Sequence, residues 1–136
     1  GSSDYPPILK KNIIKKKFSL GFQNEKINFK SVKIRHGKIF ALGYVFKNIA
    51  YISDCSSVSE KSIKDLANLN TLIIDCLRFK AHYSHLNFDE VIKLVNILKP
   101  KKTILTNMHI DLDYKYLKKK APKNICPGYD GMKIYA

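Results

Sequence analysis

The feature that most constrains the fold is a change of rhythm near residue 55. Up to Asp54, short apolar runs follow one another with only turn residues between them. Phe18–Leu20 and Lys26–Phe29 flank Gly21–Glu25 as the arms of a hairpin would. Ser31–Arg35, Phe40–Phe46 and Ile49–Asp54 are the next strand candidates, with Lys47-Asn48 a natural two-residue turn between the last two. After Asp54 the period becomes helical. Ser57 and Glu60 have the spacing of a capping box, and Ile63, Leu66 and Leu69 follow it. Thr71–Asp75 is an apolar run ending in an acid, as expected of a buried parallel strand. Asn87-Phe88-Asp89-Glu90 caps a second helix, whose stripe is Val91, Leu94, Val95 and Leu98 and whose end is followed by Pro100. Lys102–Thr106 predicts another buried strand. Asp111–Lys120 predicts a third helix, with acids first and lysines last to suit the helix dipole. Lys133–Tyr135 predicts a final strand after the Tyr129-Asp130-Gly131 turn. Strands followed by strand–helix alternation make an α/β layered domain.

At 136 residues the chain suits one domain. The lysine-rich segment 1–17, with Pro6-Pro7, reads as an arm, and 18–136 as the domain. Gly1-Ser2-Ser3 reads as an expression remnant rather than a targeting signal. No run approaches the ~20 apolar residues of a membrane helix. The net charge is +14, yet only Arg35 and Arg78 are arginines against 23 lysines, with 17 isoleucines and 10 asparagines alongside. Lys, Ile and Asn rising together points to compositional drift with solvated lysines. A working basic surface for RNA or another acidic partner is the alternative. Cys55, Cys76 and Cys126 are odd in number and widely spaced, with no Cys-x-x-Cys pair. That argues against a disulfide framework and for a reducing, cytoplasmic setting.

Polar residues of chemical interest collect where the apolar strands end. They are His36, Asp54, Asp75, His82, His85, Asn107, His109, Asp111 and Asp113. Imidazole and carboxylate are the ligands that zinc or manganese accept, and both can move protons. Singly, each has a plainer reading: a hydrogen-bonded histidine, or an acid favouring a turn or a helix N-terminus. Their shared placement after strands is what suggests a site.

The segment from Arg35 onward resembles the C-terminal half of a metallo-β-lactamase-fold hydrolase, nearest the phosphoribosyl cyclic phosphodiesterase branch beside the RNase Z group. The resemblance rests on His36-Gly37, Leu42-Gly43-Tyr44, Ala50-Tyr51-Ile52-Ser53-Asp54, Leu72-Ile73-Ile74-Asp75-Cys76 and His82-Tyr83-Ser84-His85-Leu86. It continues in Ile104-Leu105-Thr106-Asn107-Met108-His109, Asp111-Leu112-Asp113-Tyr114 and Tyr129-Asp130-Gly131-Met132. It implies half of an αβ/βα sandwich: a mixed sheet with helices on one face and an apolar face left bare. It implies a divalent metal, zinc or manganese, with Asp54 as the bridging carboxylate and His36 as a ligand. His85 is implied as the acid or phosphate contact, with His82 the lesser candidate.

Two departures accompany the matches. The family's His-x-His-x-Asp-His loop, which supplies most ligands of both metals, does not occur in these 136 residues. The family's last metal histidine falls at Asn107, and an amide is a poor ligand; His109, two residues on, is the substitute candidate. The expectation is therefore a phosphodiesterase-like half-domain, incomplete or inactive by itself. It would pair with a second copy or with a partner chain carrying the N-terminal half, and a phosphodiester is the substrate class. The alternative is a non-catalytic half-domain that self-associates or binds a partner or RNA through its lysines.

Overall fold

The computed structural model describes residues 9–135. Its sheet has seven strands in chain order: β1 (Lys17–Phe22), β2 (Glu25–His36), β3 (Ile39–Phe46), β4 (Ile49–Ile52), β5 (Thr71–Asp75), β6 (Lys102–Thr106) and β7 (Ile125–Pro127). The first four pair antiparallel and β4 to β7 pair parallel. The change of direction falls at the change of sequence rhythm. Tight turns join antiparallel neighbours, whereas parallel neighbours need crossovers. Helices α1 (Glu60–Asp65), α2 (Phe88–Leu98) and α3 (Tyr114–Lys120) lie in these crossovers.

The first hairpin forms with a tighter turn than Gly21–Glu25, since Gly21, Phe22 and Glu25 are paired in the strands. Gln23 and Asn24 both have positive φ (46° and 67°), the conformation of a two-residue hairpin turn whose twist matches the strands. Lys47-Asn48 closes the β3–β4 hairpin, with Phe46 opposite Ile49. The hairpin arm Lys26–Phe29 and the strand Ser31–Arg35 prove to be one twelve-residue strand, β2.

One face of the sheet is packed. Val32 and Ile34 of β2, Ala50 and Ile52 of β4, Leu72 and Ile74 of β5, Leu105 of β6 and Ile125 of β7 are buried in one cluster. Helix residues Val91, Leu94, Val95, Leu98 and Leu117 share it. Gly43 sits within this face because a Cβ there would meet Ile52 Cγ1 at 3.0 Å and Ile34 Cγ1 at 3.4 Å. The opposite face is bare over β3 and β4, where Phe40, Leu42 and Tyr51 remain 52%, 43% and 42% exposed, with Lys33 and Arg35 over the Phe40 ring. Toward β6 it is covered: Ile104, in register with Tyr51 through Ile73, is buried.

Three expectations need correction. The first helix is capped by Ser59, whose hydroxyl accepts the Ser62 N–H, and not by Ser57. The Ser57 carbonyl instead accepts the Arg35 N–H (3.2 Å), so the chain is still tied to the open edge of β2 at that point. The third helix starts at Tyr114 with Asp113 as its cap, later than Asp111. No strand forms at Lys133–Tyr135; the last strand is Ile125–Pro127, beside β6. Its proline argues against a strand on sequence grounds, but at a sheet edge the missing N–H costs little. By contrast, the Asn87–Glu90 capping box is present in full, with both reciprocal bonds at 2.8 and 2.9 Å. Of the arm, residues 1–8, including Gly1–Ser3 and Pro6-Pro7, lie outside the described residues. Its end is tied to the sheet by the Ser31 N–H, which donates to the Lys16 carbonyl.

Candidate metal centre

Three side chains from three parts of the chain meet at one end of the sheet. His36 ends β2, Asp54 lies just past β4, and His85 lies in the crossover between β5 and α2. Their ligand atoms all fall within 4.8 Å of one another, and this is the one such His/Cys/Asp/Glu group found among the described residues. Gly37 makes the approach possible. It turns with φ +57°, and a Cβ there would come within 3.1 Å of Ser84 Cβ. The His36 turn and the His82–Leu86 segment can therefore lie against each other, and the His36 and His85 rings stand edge to face at 4.8 Å.

Each imidazole is held from behind. His36 Nδ1 lies 2.8 Å from the Ser84 carbonyl. A carbonyl only accepts, so this nitrogen carries the proton and Nε2 keeps its lone pair. His85 Nδ1 lies 2.7 Å from Asp75 Oδ2 and by the same argument donates to the carboxylate. Such backing by a carbonyl or carboxylate fixes the tautomer and orientation of metal-binding histidines. Asp54 is half-buried, and its Oδ2 accepts from the Ser53 hydroxyl at 2.8 Å. Two imidazoles and a carboxylate match a catalytic zinc site in number and type, with a position left open. The donor set therefore fits one divalent cation.

Asp75, at the end of β5, is fully buried. Besides His85 it accepts the Cys55 N–H at 3.0 Å and the Asn107 amide at 3.0 Å. It thus joins the ends of β4, β5 and β6. The two thiols beside it are pushed up to about 12: Cys55 by burial first and then by the charges of Asp75 and Glu90, Cys76 by burial and then by Asp75. At neutral pH both are inert thiols.

The other sequence candidates separate. His82 is adjacent, its ring 5.2 Å from that of His85, and it accepts from the Ser84 hydroxyl. Desolvation and the charges of Arg78 and His85 hold its imidazole below the usual histidine value. His109 is not in the group; its Nδ1 pairs with Asp111 Oδ2 at 3.2 Å on an exposed loop. Asp113 caps α3. Asn107 enters the site as a partner of Asp75. Sequence reasoning missed that link, and it missed the Ser84 carbonyl behind His36. A backbone carbonyl leaves no sequence signal, whereas the Asp75–Asn107 approach follows from adjacent parallel strands once Asp75 is set opposite Thr106. A hollow of about 200 Å³ borders the site, lined by Tyr51, Ser53, Asp54, Thr106 and Asn107. A wider groove of about 660 Å³ lies elsewhere, between α1 and the β2 edge, and holds none of these candidates.

Residues 3–110 match the family model for the β-lactamase superfamily domain. The chain belongs to this family. Among solved structures, a diphosphatase of the PhnP family is 28% identical to this β-lactamase superfamily domain at a TM-score of 0.83, covering 90% of this chain and 47% of its own. The short form of human tRNase Z (18% identity, TM-score 0.59) is covered over 46% of its length. The metallo-β-lactamase fold protein YhfI of Bacillus subtilis (13%, 0.65) is covered over 53%. Those two likenesses establish the fold alone. A curated relative, an octanoyltransferase of Porphyromonas gingivalis, is 28% identical in an alignment 133 residues long that covers 94% of this chain and 26% of that protein. The chain thus spans about half the length of the structures it matches and about a quarter of the curated relative. The mixed sheet with its three helices is the metallo-β-lactamase fold of these neighbours, and the family is one of hydrolases.

Proposed function

We propose that this domain supplies one wall of a metal-dependent phosphodiester or diphosphate hydrolase centre. His36 and Asp54 would hold a divalent cation, zinc or manganese, with His85 beside it. The observation that carries the reading is the convergence of these three side chains, each imidazole fixed by a bond to Nδ1. A bound cation would polarise a phosphoryl oxygen and lower the pKa of a coordinated water. The chain's own residues then do the rest. Asp54 offers an anionic oxygen at the mouth of the hollow. With its Nδ1 proton held by Asp75, His85 would use Nε2 either to complete the ligand set or to take a proton from the attacking water and pass it to a leaving oxygen. Asp75 keeps that ring in one orientation.

The likeness to a PhnP-family diphosphatase supports a phosphorylated substrate. Three ligands suffice for one cation and fall short of two. The remaining ligands would come from a segment bearing His-x-His-x-Asp-His, packed on the bare sheet face, where Tyr51 lines the hollow next to Asp54. The test is reconstitution. With a complementary segment and manganese or zinc supplied, bis(p-nitrophenyl) phosphate should be hydrolysed, and Asp54→Ala should abolish this without loss of fold. Full activity in that variant would contradict the reading.

A further inference from the structure

Asn107 stands where the family resemblance leads one to expect a metal histidine, yet its geometry gives it a different task. We propose that Asn107 is a positioning residue: its side-chain amide clamps the Asp75 carboxylate and thereby holds the His85 imidazole in the Nδ1–H tautomer. This inference deepens the proposed function but does not depend on a metal being bound.

The bonds around Asp75 carry the argument. Oδ2 accepts from His85 Nδ1 at 2.7 Å and from the Cys55 N–H at 3.0 Å, while Oδ1 accepts from Asn107 Nδ2 at 3.0 Å. An ionised carboxylate only accepts, so the Asn107 amide must present its NH₂ to it. The same Nδ2 is 3.5 Å from His85 Nδ1. Two donors cannot bond to each other, so the His85 proton is left to Asp75. Cys55 and Asn107, just past the ends of the strands on either side of β5, thus hold the two oxygens, fixing the plane of the carboxylate that His85 sees. Without Asn107 one oxygen loses its donor, and the carboxylate is free to turn about the Cβ–Cγ bond.

The backbone explains why this position can reach. Thr106 is opposite Asp75 in the β5–β6 register, and the Cys76 N–H donates to the Thr106 carbonyl at 3.0 Å. At the next residue the chain turns left-handed, with φ 56° at Asn107, a conformation that asparagine tolerates. The side chain is thereby returned over the end of β5.

Nitrogen-detected NMR of the histidine rings in the metal-free chain tests the assignment. The wild-type chain is expected to show His85 as one tautomer, protonated at Nδ1. Asn107→Gly removes the amide and keeps the left-handed turn free of strain. It should shift His85 toward a mixture of tautomers while the remaining spectrum stays folded. Zinc affinity, measured separately, should fall about 10–100-fold, the usual effect of losing an outer partner of a ligand. An unchanged His85 pattern in the Gly variant, or a wild-type His85 protonated at Nε2, would overturn the proposal. Failure of the wild-type chain to bind zinc would contradict the proposed function instead, and leave the Asn107 assignment to be decided by the tautomer result alone.

Discussion

His85 Nδ1 lies 2.7 Å from Oδ2 of Asp75, a carboxylate with no exposure to solvent. The pair links the packed interior of the sheet to the mouth of the candidate centre, so the two acids of the site should respond differently to mutation.

Asp75→Ala should destabilise the fold by about 1–3 kcal/mol, because it strands the buried Cys55 N–H and frees the His85 ring. Asp54→Ala should change stability by no more than about 0.5 kcal/mol, since its carboxylate is half-exposed and, among the described residues, bonded only to Ser53. Urea unfolding of both variants checks this contrast. Equal losses would mean that Asp54 is a structural acid.

The bare sheet face should drive association. Light scattering is expected to show a mass that rises with concentration, and Leu42→Glu or Tyr51→Glu should return the chain to a monomer with unchanged unfolding. Both residues lie on the exposed face, so neither change empties the core. A wild-type monomer at every concentration would contradict the interface reading.

Stability should fall in alkali. Cys55 and Cys76 are raised to about 12 in the fold from an ordinary value of 9.0. Between those values the unfolded thiols lose protons that the folded ones keep, so the unfolded state gains. The slope is at most about 1.4 kcal/mol per pH unit for each thiol. Replacing both cysteines by alanine should flatten the wild-type difference between about pH 8 and pH 10. An identical slope in the variant would refute the assignment.

The arm's attachment should weaken in acid. The Lys16 ammonium, 3.1 Å from Asp65, and then Lys30, hold that carboxyl below its ordinary 3.8. The stabilisation is present above 3.8 and disappears as pH falls through the lower folded value. The pair is at the surface, so Asp65→Asn should cost about 0.2–1 kcal/mol at neutral pH, and less in high salt. No difference from wild type at low salt would mean that the contact contributes nothing.

Much of the fold was legible because its signals are local. The apolar run Thr71–Asp75, the Asn87–Glu90 box and the Lys47-Asn48 turn each act within a few residues. The misreadings came from long-range contacts. Ser57 has the spacing of a cap, but the edge of β2 holds it. Ile125–Pro127 looks wrong for a strand until it is placed at a sheet edge. At the site, His36 and Asp54 could be named from the resemblance, and the structure brings them together with His85. The separation of His109, which depends on where the loop after β6 runs, and the turn of Asn107 toward Asp75 are set by tertiary geometry. Neither has a sequence pattern of its own.

The most direct test of the central claim is a zinc titration of the purified chain by calorimetry, with His36→Ala and Asp54→Ala alongside. The account predicts one zinc per chain, weakened at least about 100-fold in each variant, beyond the usual loss from an outer partner. No zinc binding by the wild-type chain, or equal binding by all three proteins, would contradict it.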